Sequence, residues 1–277
     1  MDLALANNLS VLRRRARRIL IHYSSGQLQL VLRELQLLGE VGVFGGLLRD
    51  AALDQPRKFR SDVDLVIDVY DGKHFDRFFR RANAKINRFG GYRLALSSGS
   101  VDVWPLHRTW AFRTGLVRGS SLKDLIGTTY FSWDSIVYSW SSHRLYCRDS
   151  YLDEVHDRVV DLELAINPNP LGALVRTLRL LACGRAGLRR RLAYHTFFLL
   201  EGYSVDDILS AERRGYQAPC LSEDLVRQMQ WLLRSFVETA RGNACFRPPA
   251  LGQLSFPFAR RLSLSEAVSL PMDALSV

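Results

Sequence analysis

Apolar residues recur at helical spacing between Gln27 and Leu38, where Leu28, Leu30, Val31, Leu35 and Leu38 form one stripe, and this predicts an amphipathic helix. Beyond it the pattern shortens. Strands are predicted at 41–44, 63–69, 92–97 and 101–105, with a helix across 72–88 between the second and the third. Gly90-Gly91 and Ser97-Ser98-Gly99-Ser100 supply turns, the latter closing a hairpin that ends in Asp102. This alternation describes a small mixed sheet with helices on one side. After the double breaker Asn167-Pro168-Asn169-Pro170 only helical patterns follow, at about 171–183, 187–201, 205–213 and 221–238, with Gly202 and Gly215 as stops. The chain therefore reads as an α+β domain over residues 1–160, with helices at its N-terminus, and an all-α domain over 161–277. The tail from Arg247, with Pro248-Pro249, Pro257 and Pro271, is expected to be extended, and no internal repeat is present.

Chemistry enters with the second strand. In Asp62-Val63-Asp64-Leu65-Val66-Ile67 the two-residue period puts both aspartates on one face and Val63, Leu65 and Ile67 on the other. Two anions side by side repel one another, and hard oxygen ligands of this kind suit Mg²⁺, with phosphate oxygens completing its shell. Asp102, in Ser100-Val101-Asp102-Val103-Trp104, brings a third carboxylate to the same edge if its strand is a neighbour. Two ions about 3.5–4 Å apart would then activate an attacking hydroxyl and stabilise a leaving pyrophosphate. The competing reading is that these aspartates are solvated strand residues.

Upstream, Val41-Gly42-Val43-Phe44 runs into Gly45-Gly46 and then into a helical stretch over 47–53. A strand, a glycine turn and a helix start leave N–H groups aimed at whatever lies over the turn, which favours phosphate. Gly45 and Gly46 are the cradle expected, while Gly39 and Gly42 are read as ending the preceding helix and loosening the strand. Arg49 either touches phosphate or pairs with Asp50 or another carboxylate, the structural role being preferred. Neither a Gly-Lys-Ser/Thr phosphate loop nor a dinucleotide fingerprint is present.

Gly45-Gly46-Leu47-Leu48-Arg49-Asp50 followed by Asp62-Val63-Asp64 resembles the head domain of class II nucleotidyltransferases, the poly(A) polymerase and CCA-adding type. The similarity spans roughly 38–182, most densely 41–69, and continues at Ser121-Leu122-Lys123-Asp124-Leu125, Phe131-Ser132-Trp133-Asp134-Ser135, Asp157-Arg158-Val159-Val160 and Arg176-Thr177-Leu178-Arg179-Leu180. The 15 residues between Gly46 and Asp62 imply an enlarged loop around 53–59. Two departures stand out. Thr128 to Ser135 lacks the arginines of the family's Arg-Arg-Asp-Phe-Thr-x-Asn-Ala segment, and Gly172-Ala173-Leu174-Val175-Arg176 keeps only the arginine of its base-reading Glu-Asp-x-x-Arg. A site that has lost those hydrogen-bonding partners is not expected to select C and then A.

Arginine dominates the charge: net +10, with 34 arginines against four lysines. Arginine suits phosphate, although GC-rich codons produce the same excess. Placement is more informative. Arg13-Arg14-Arg15-Ala16-Arg17-Arg18 reads as a helix face or a partly disordered arm, and 165–200 holds six arginines and no acid, a candidate surface for RNA or another polyanion. Arg113 is a further candidate phosphate contact. The aromatics from Trp104 to Trp140 are read chiefly as core rather than as base-stacking platforms. No apolar run reaches membrane-spanning length, and arginines appear only after residue 12, the wrong order for a secretory signal. Cys147, Cys183, Cys220 and Cys245 lack zinc or disulfide spacing, so a reducing cytoplasmic setting is expected.

The resemblance implies a Mg²⁺-dependent nucleotidyltransferase with Asp62, Asp64 and Asp102 as catalytic metal ligands and Gly45 and Gly46 at the nucleotide, where Arg49 and Arg113 are further candidates by their positions. An RNA 3′ end, tRNA-like, is the acceptor it implies. A protein or small-molecule hydroxyl, or an inactive scaffold of the same fold, are the alternatives.

Overall fold

The computed structural model describes residues 5–53, 62–87, 90–97 and 99–248. The enlarged loop expected around 53–59, Ser98 of the predicted turn and the tail beyond Pro248 fall wholly or largely outside these. The chain divides into two compact units, Met1–Asp157 and Arg158–Val277.

The first unit is built on a seven-stranded mixed sheet in the order β3-β4-β5-β2-β1-β6-β7. Its strands are β1 (Gly39–Phe44), β2 (Val63–Val69), β3 (Lys85–Ile86), β4 (Tyr92–Leu96), β5 (Gly99–Pro105), β6 (Ile136–Ser139) and β7 (Leu145–Cys147). The helices are α1 (Leu9–His22), α2 (Gln27–Gln36), α3 (Gly46–Ala52), α4 (Gly72–Arg81), α5 (Trp110–Arg113) and α6 (Tyr151–His156). Within this sheet, among the described residues, β2 and β5 pair in parallel and the other neighbours are antiparallel.

The two-residue period of β2 works as read. Val63, Leu65 and Ile67 are fully buried with Val41, Val43, Val101 and Val103, while Asp62 and Asp64 take the opposite face. That second face is covered over part of its length only. Val66 lies there beneath Leu106, Leu122, Leu125 and Val137, a cluster supplied largely by the 3₁₀ turns Leu106–Arg108 and Leu122–Gly127. The Asp62–Asp64 end stays open.

Three expectations are corrected. The helix predicted across 72–88 stops at Arg81, because Asn83 turns left-handed (φ +49°) and the chain re-enters the sheet as β3. The sheet is wider than the four strands read, since β6 is buried at all four positions and so shows no alternation to detect. Gly39 and Gly42 neither end a helix nor loosen a strand. Both stand inside β1, where a Cβ would meet the Asp68 carbonyl at 2.1 Å and Leu122 at 2.9 Å, respectively.

The arginine run 13–18 is a helix face: Asn8 caps α1, Leu12, Ala16 and Leu20 point inward, and Arg13, Arg14, Arg17 and Arg18 are exposed. Tyr130, Phe131, Trp133, Tyr138 and Trp140 are buried, as core aromatics.

The second unit contains α7 (Pro170–Ala182), α8 (Arg190–Gly202), α9 (Val205–Gly215) and α10 (Glu223–Thr239). Asn169 caps α7 ahead of Pro170, and Gly202 and Gly215 end their helices as expected. The unit is helical but not purely so. β8 (Val159–Val160), β9 (Gly187–Arg189) and β10 (Cys245–Phe246) form a small sheet, and β9 takes the residues with which the sequence begins the helix over 187–201. Strands of two or three residues are too short to show a period.

Candidate functional site

Register brings the carboxylates together. β2 and β5 run parallel with Asp64 level with Asp102, and β1 sets Phe44 level with Asp64. Asp62 stands just before β2, where its Oδ1 accepts from Ser100 Oγ at 2.6 Å. Gly45 has φ +75° and precedes α3; a Cβ built there would lie 3.7 Å from Asp64 Oδ2. The bend and the Asp64 carboxylate therefore face each other.

Arg93, which the sequence did not single out, binds this cluster. It lies directly opposite Asp102 on β4. Its Nε donates to Asp102 Oδ1 at 2.8 Å, and its Nη2 donates to Asp102 Oδ2 at 2.5 Å and to Asp62 Oδ2 at 2.9 Å. The Asp102 side chain is 8% exposed, those of Arg93 and Asp62 nearly half. Hydrogen bonding to Asp102 raises the Arg93 pKa above its ordinary value, burial opposes this, and the charges of Asp102, Asp62 and Asp64 add to the rise. The only sequence signal for Arg93 is its place in a strand paired with that of Asp102.

Arg49 takes the structural role. Its Nε donates to Asp50 Oδ1 at 3.0 Å and its Nη1 to Asp134 Oδ1 at 2.8 Å, while Nη2 folds back so that a Cβ on Gly46 would lie 3.2 Å away. Burial alone would lower the Arg49 pKa, but the Asp134 and Asp50 carboxylates outweigh it and hold the guanidinium charged. Asp134 belongs to the buried stretch 130–135, the segment that departs from the family pattern. Here that segment supplies core and an ion-pair partner for the glycine bend.

Arg113 ends α5, is exposed, and has its Nη1 3.9 Å from a Cβ built on Gly90. Since Gly91 directly precedes β4 and its neighbour Tyr92 pairs with Val103, this turn lies toward the far end of β5 from Ser100. Arg113 thus lies by the Gly90 turn, three residues along the chain from Arg93. Trp104, two residues after Asp102 on β5, and Phe44, level with Asp64, meet edge to face with ring centroids 6.4 Å apart.

By donor chemistry Asp62 and Asp64 fit a hard divalent cation of the kind that binds through one or two carboxylates plus phosphate oxygens. Asp102 has both oxygens turned to Arg93. Among the described residues no group of three or more His, Cys, Asp or Glu is arranged as a metal cage.

The sheet, its helical cover and the following helical unit define a nucleotidyltransferase fold. Among solved structures, the chain is similar to a CCA-adding enzyme in complex with CTP, with TM-score 0.52 and 15% identity over 81% of this chain and 56% of the other. It is also similar to a CCA-adding enzyme in complex with ATP (TM-score 0.50, 14% identity, 77% and 55% covered) and to an apo tRNA-processing enzyme (0.50, 18%, 74% and 57%). The chain spans little more than half the length of these proteins. No family model and no curated protein matches it. Among the described residues no helix is long and apolar enough to cross a membrane.

Proposed function

We propose that the protein transfers a nucleoside monophosphate from a nucleoside triphosphate to an acceptor hydroxyl. The observation that carries this reading is the gathering of Asp62, Asp64 and Asp102 on one open sheet end that faces the Gly45-Gly46 bend. In this reading Asp62 and Asp64 hold Mg²⁺, which when bound neutralises phosphate charge and acidifies the acceptor hydroxyl. The Gly45-Gly46 backbone, which carries no side chains of its own, receives the β/γ-phosphates. Arg49 keeps that bend in place through Asp134, and Asp102 fixes Arg93 beside the reacting groups. An RNA 3′ end is the favoured acceptor, in keeping with the CCA-adding enzymes of the same fold and with the net charge of +10.

The test is incubation with each labelled triphosphate, Mg²⁺ and total RNA or lysate, beside Asp62→Ala/Asp64→Ala. Label in RNA that is lost in the variant supports the reading; label in protein or metabolite reassigns the acceptor. No transfer and no Mg²⁺-dependent triphosphate binding would leave a scaffold.

A further inference from the structure

We infer that Arg93 is a resident cation of the carboxylate cluster, so that with nucleotide the protein takes one divalent ion, on Asp62 and Asp64, and not two. This rests on the reading above and deepens it. Three carboxylates carry about three negative charges, and Arg93, charged at any working pH, offsets one of them. The geometry agrees: both Asp102 oxygens and one Asp62 oxygen already accept from Arg93, whose fork is bidentate on Asp102 and fixed by direct cross-strand pairing. A second ion at Asp102 has to displace this fork from a carboxylate only 8% exposed.

The experiment titrates the full chain with Mn²⁺ in the presence of one equivalent of a non-hydrolysable ATP analogue, reads free Mn²⁺ by electron paramagnetic resonance, and subtracts the Mn²⁺ taken up by the analogue alone in a parallel titration. Wild type is expected to bind one ion per chain. Arg93→Met is expected to bind two, or to bind its extra ion at least tenfold more tightly, while Arg93→Lys returns to one. Circular dichroism checks that the variants fold, and Arg93→Lys, which keeps the charge without the fork, serves if Arg93→Met does not. Two ions on wild type and variants alike would overturn the inference and leave the nucleotidyl-transfer reading intact. No ion on any of them would overturn both.

A separate observation in the second unit points to a thiol-oxidation site, and we propose that Cys183 and Cys220 form a disulfide when exposed to hydrogen peroxide. Their sulfurs lie 3.9 Å apart and both residues are exposed. Each is held by its backbone. The Cys183 N–H donates to the Arg179 carbonyl at the end of α7, and the Cys220 N–H to Glu212 Oε1 at 2.9 Å. Partial burial and the neighbouring Cys183 push the Cys220 thiol up to about 11. The Cys183 thiolate attacks one peroxide oxygen, the O–O bond breaks, and a sulfenic acid and hydroxide result. Cys220 sulfur then attacks Cys183 sulfur and expels that oxygen; with the thiol protons accounted for, two thiols and one peroxide give one disulfide and two waters.

Peroxide treatment of the full chain, followed by maleimide labelling after denaturation and by peptide mapping, tests this. Loss of two of the four thiols as a Cys183–Cys220 link, reversed by dithiothreitol and absent in Cys220→Ser, is the expected result. Four labelled thiols, a link through Cys147 or Cys245, or only intermolecular links would overturn it.

Discussion

Asp64 and Asp102 stand level on adjacent parallel strands, which places two carboxylates side by side at an open sheet end. Like charges so placed are destabilising unless a cation answers them. Arg93 answers part of that charge within the fold, and the remainder is what the site offers to a ligand.

Asp64→Asn keeps shape and removes charge. If Asp64 holds a cation worth several kcal/mol to the transition state, nucleotidyl transfer falls by at least about a hundredfold. Thermal stability should hold or rise, because one member of a repelling pair has gone. Parallel measurement of label transfer and Tm checks both; unchanged transfer would remove Asp64 from the mechanism.

Arg49→Met takes from Asp134, whose side chain is only 10% exposed, and from Asp50 the guanidinium that donates to both. Loss of one partner from such a pair costs about 3 kcal/mol. Asp134→Asn added to Arg49→Met should recover part of it, a coupling that a double-mutant cycle in urea reads directly. Additive losses would show that the two side chains do not depend on each other.

Acid should weaken both units. Arg108 hydrogen bonds hold the Asp76 carboxyl below its ordinary range against the opposing effect of burial. For Glu212 burial alone would raise the pKa, but donors from the Cys220 and Leu221 N–H groups and from Arg179 outweigh it. Both folded-state values lie below the unfolded ones, so the stabilisation is complete above about pH 5 and is lost as pH falls through the depressed values. Urea midpoints between pH 6 and pH 2 should fall for wild type, and the gap to Asp76→Asn and Glu212→Gln should close toward low pH. A gap constant with pH contradicts the assignment.

Gly91→Ala puts a Cβ 2.2 Å from Trp104 Nε1, in the ring that flanks the acidic cluster. Overpacking of this kind costs about 1–3 kcal/mol. A shifted tryptophan emission with a lowered denaturation midpoint is expected, and a silent substitution would mean that the ring moves without cost.

What the sequence disclosed followed from period and punctuation. Val63, Leu65 and Ile67 against Asp62 and Asp64 is an alternation that any half-buried strand must show, so β2 and its faces were readable, as were the stops at Gly202 and Gly215. β6 was not, because a strand buried on both faces carries no alternation, and β9 and β10 are too short for any. Partnerships across strands were equally hidden. Nothing local marks Arg93 as the counter-charge of Asp102, or Asp134 as the anchor of Arg49; sheet register and chain folding create both. The spacing of Cys183 and Cys220 likewise predicts no link, yet folding sets their sulfurs close together.

The Phe44–Trp104 pair has a consequence for the medium in which the site works. Phe44 stands level with Asp64 and its ring meets Trp104, so an aromatic surface adjoins the carboxylates on one side. Charges against such a wall feel one another through a poorly polarisable neighbour, and dissolved salt damps them less than it would on an open surface. Phe44→Ser, which wets that side, should make cation binding more salt-sensitive, a slope measurable by Mn²⁺ titration across ionic strength.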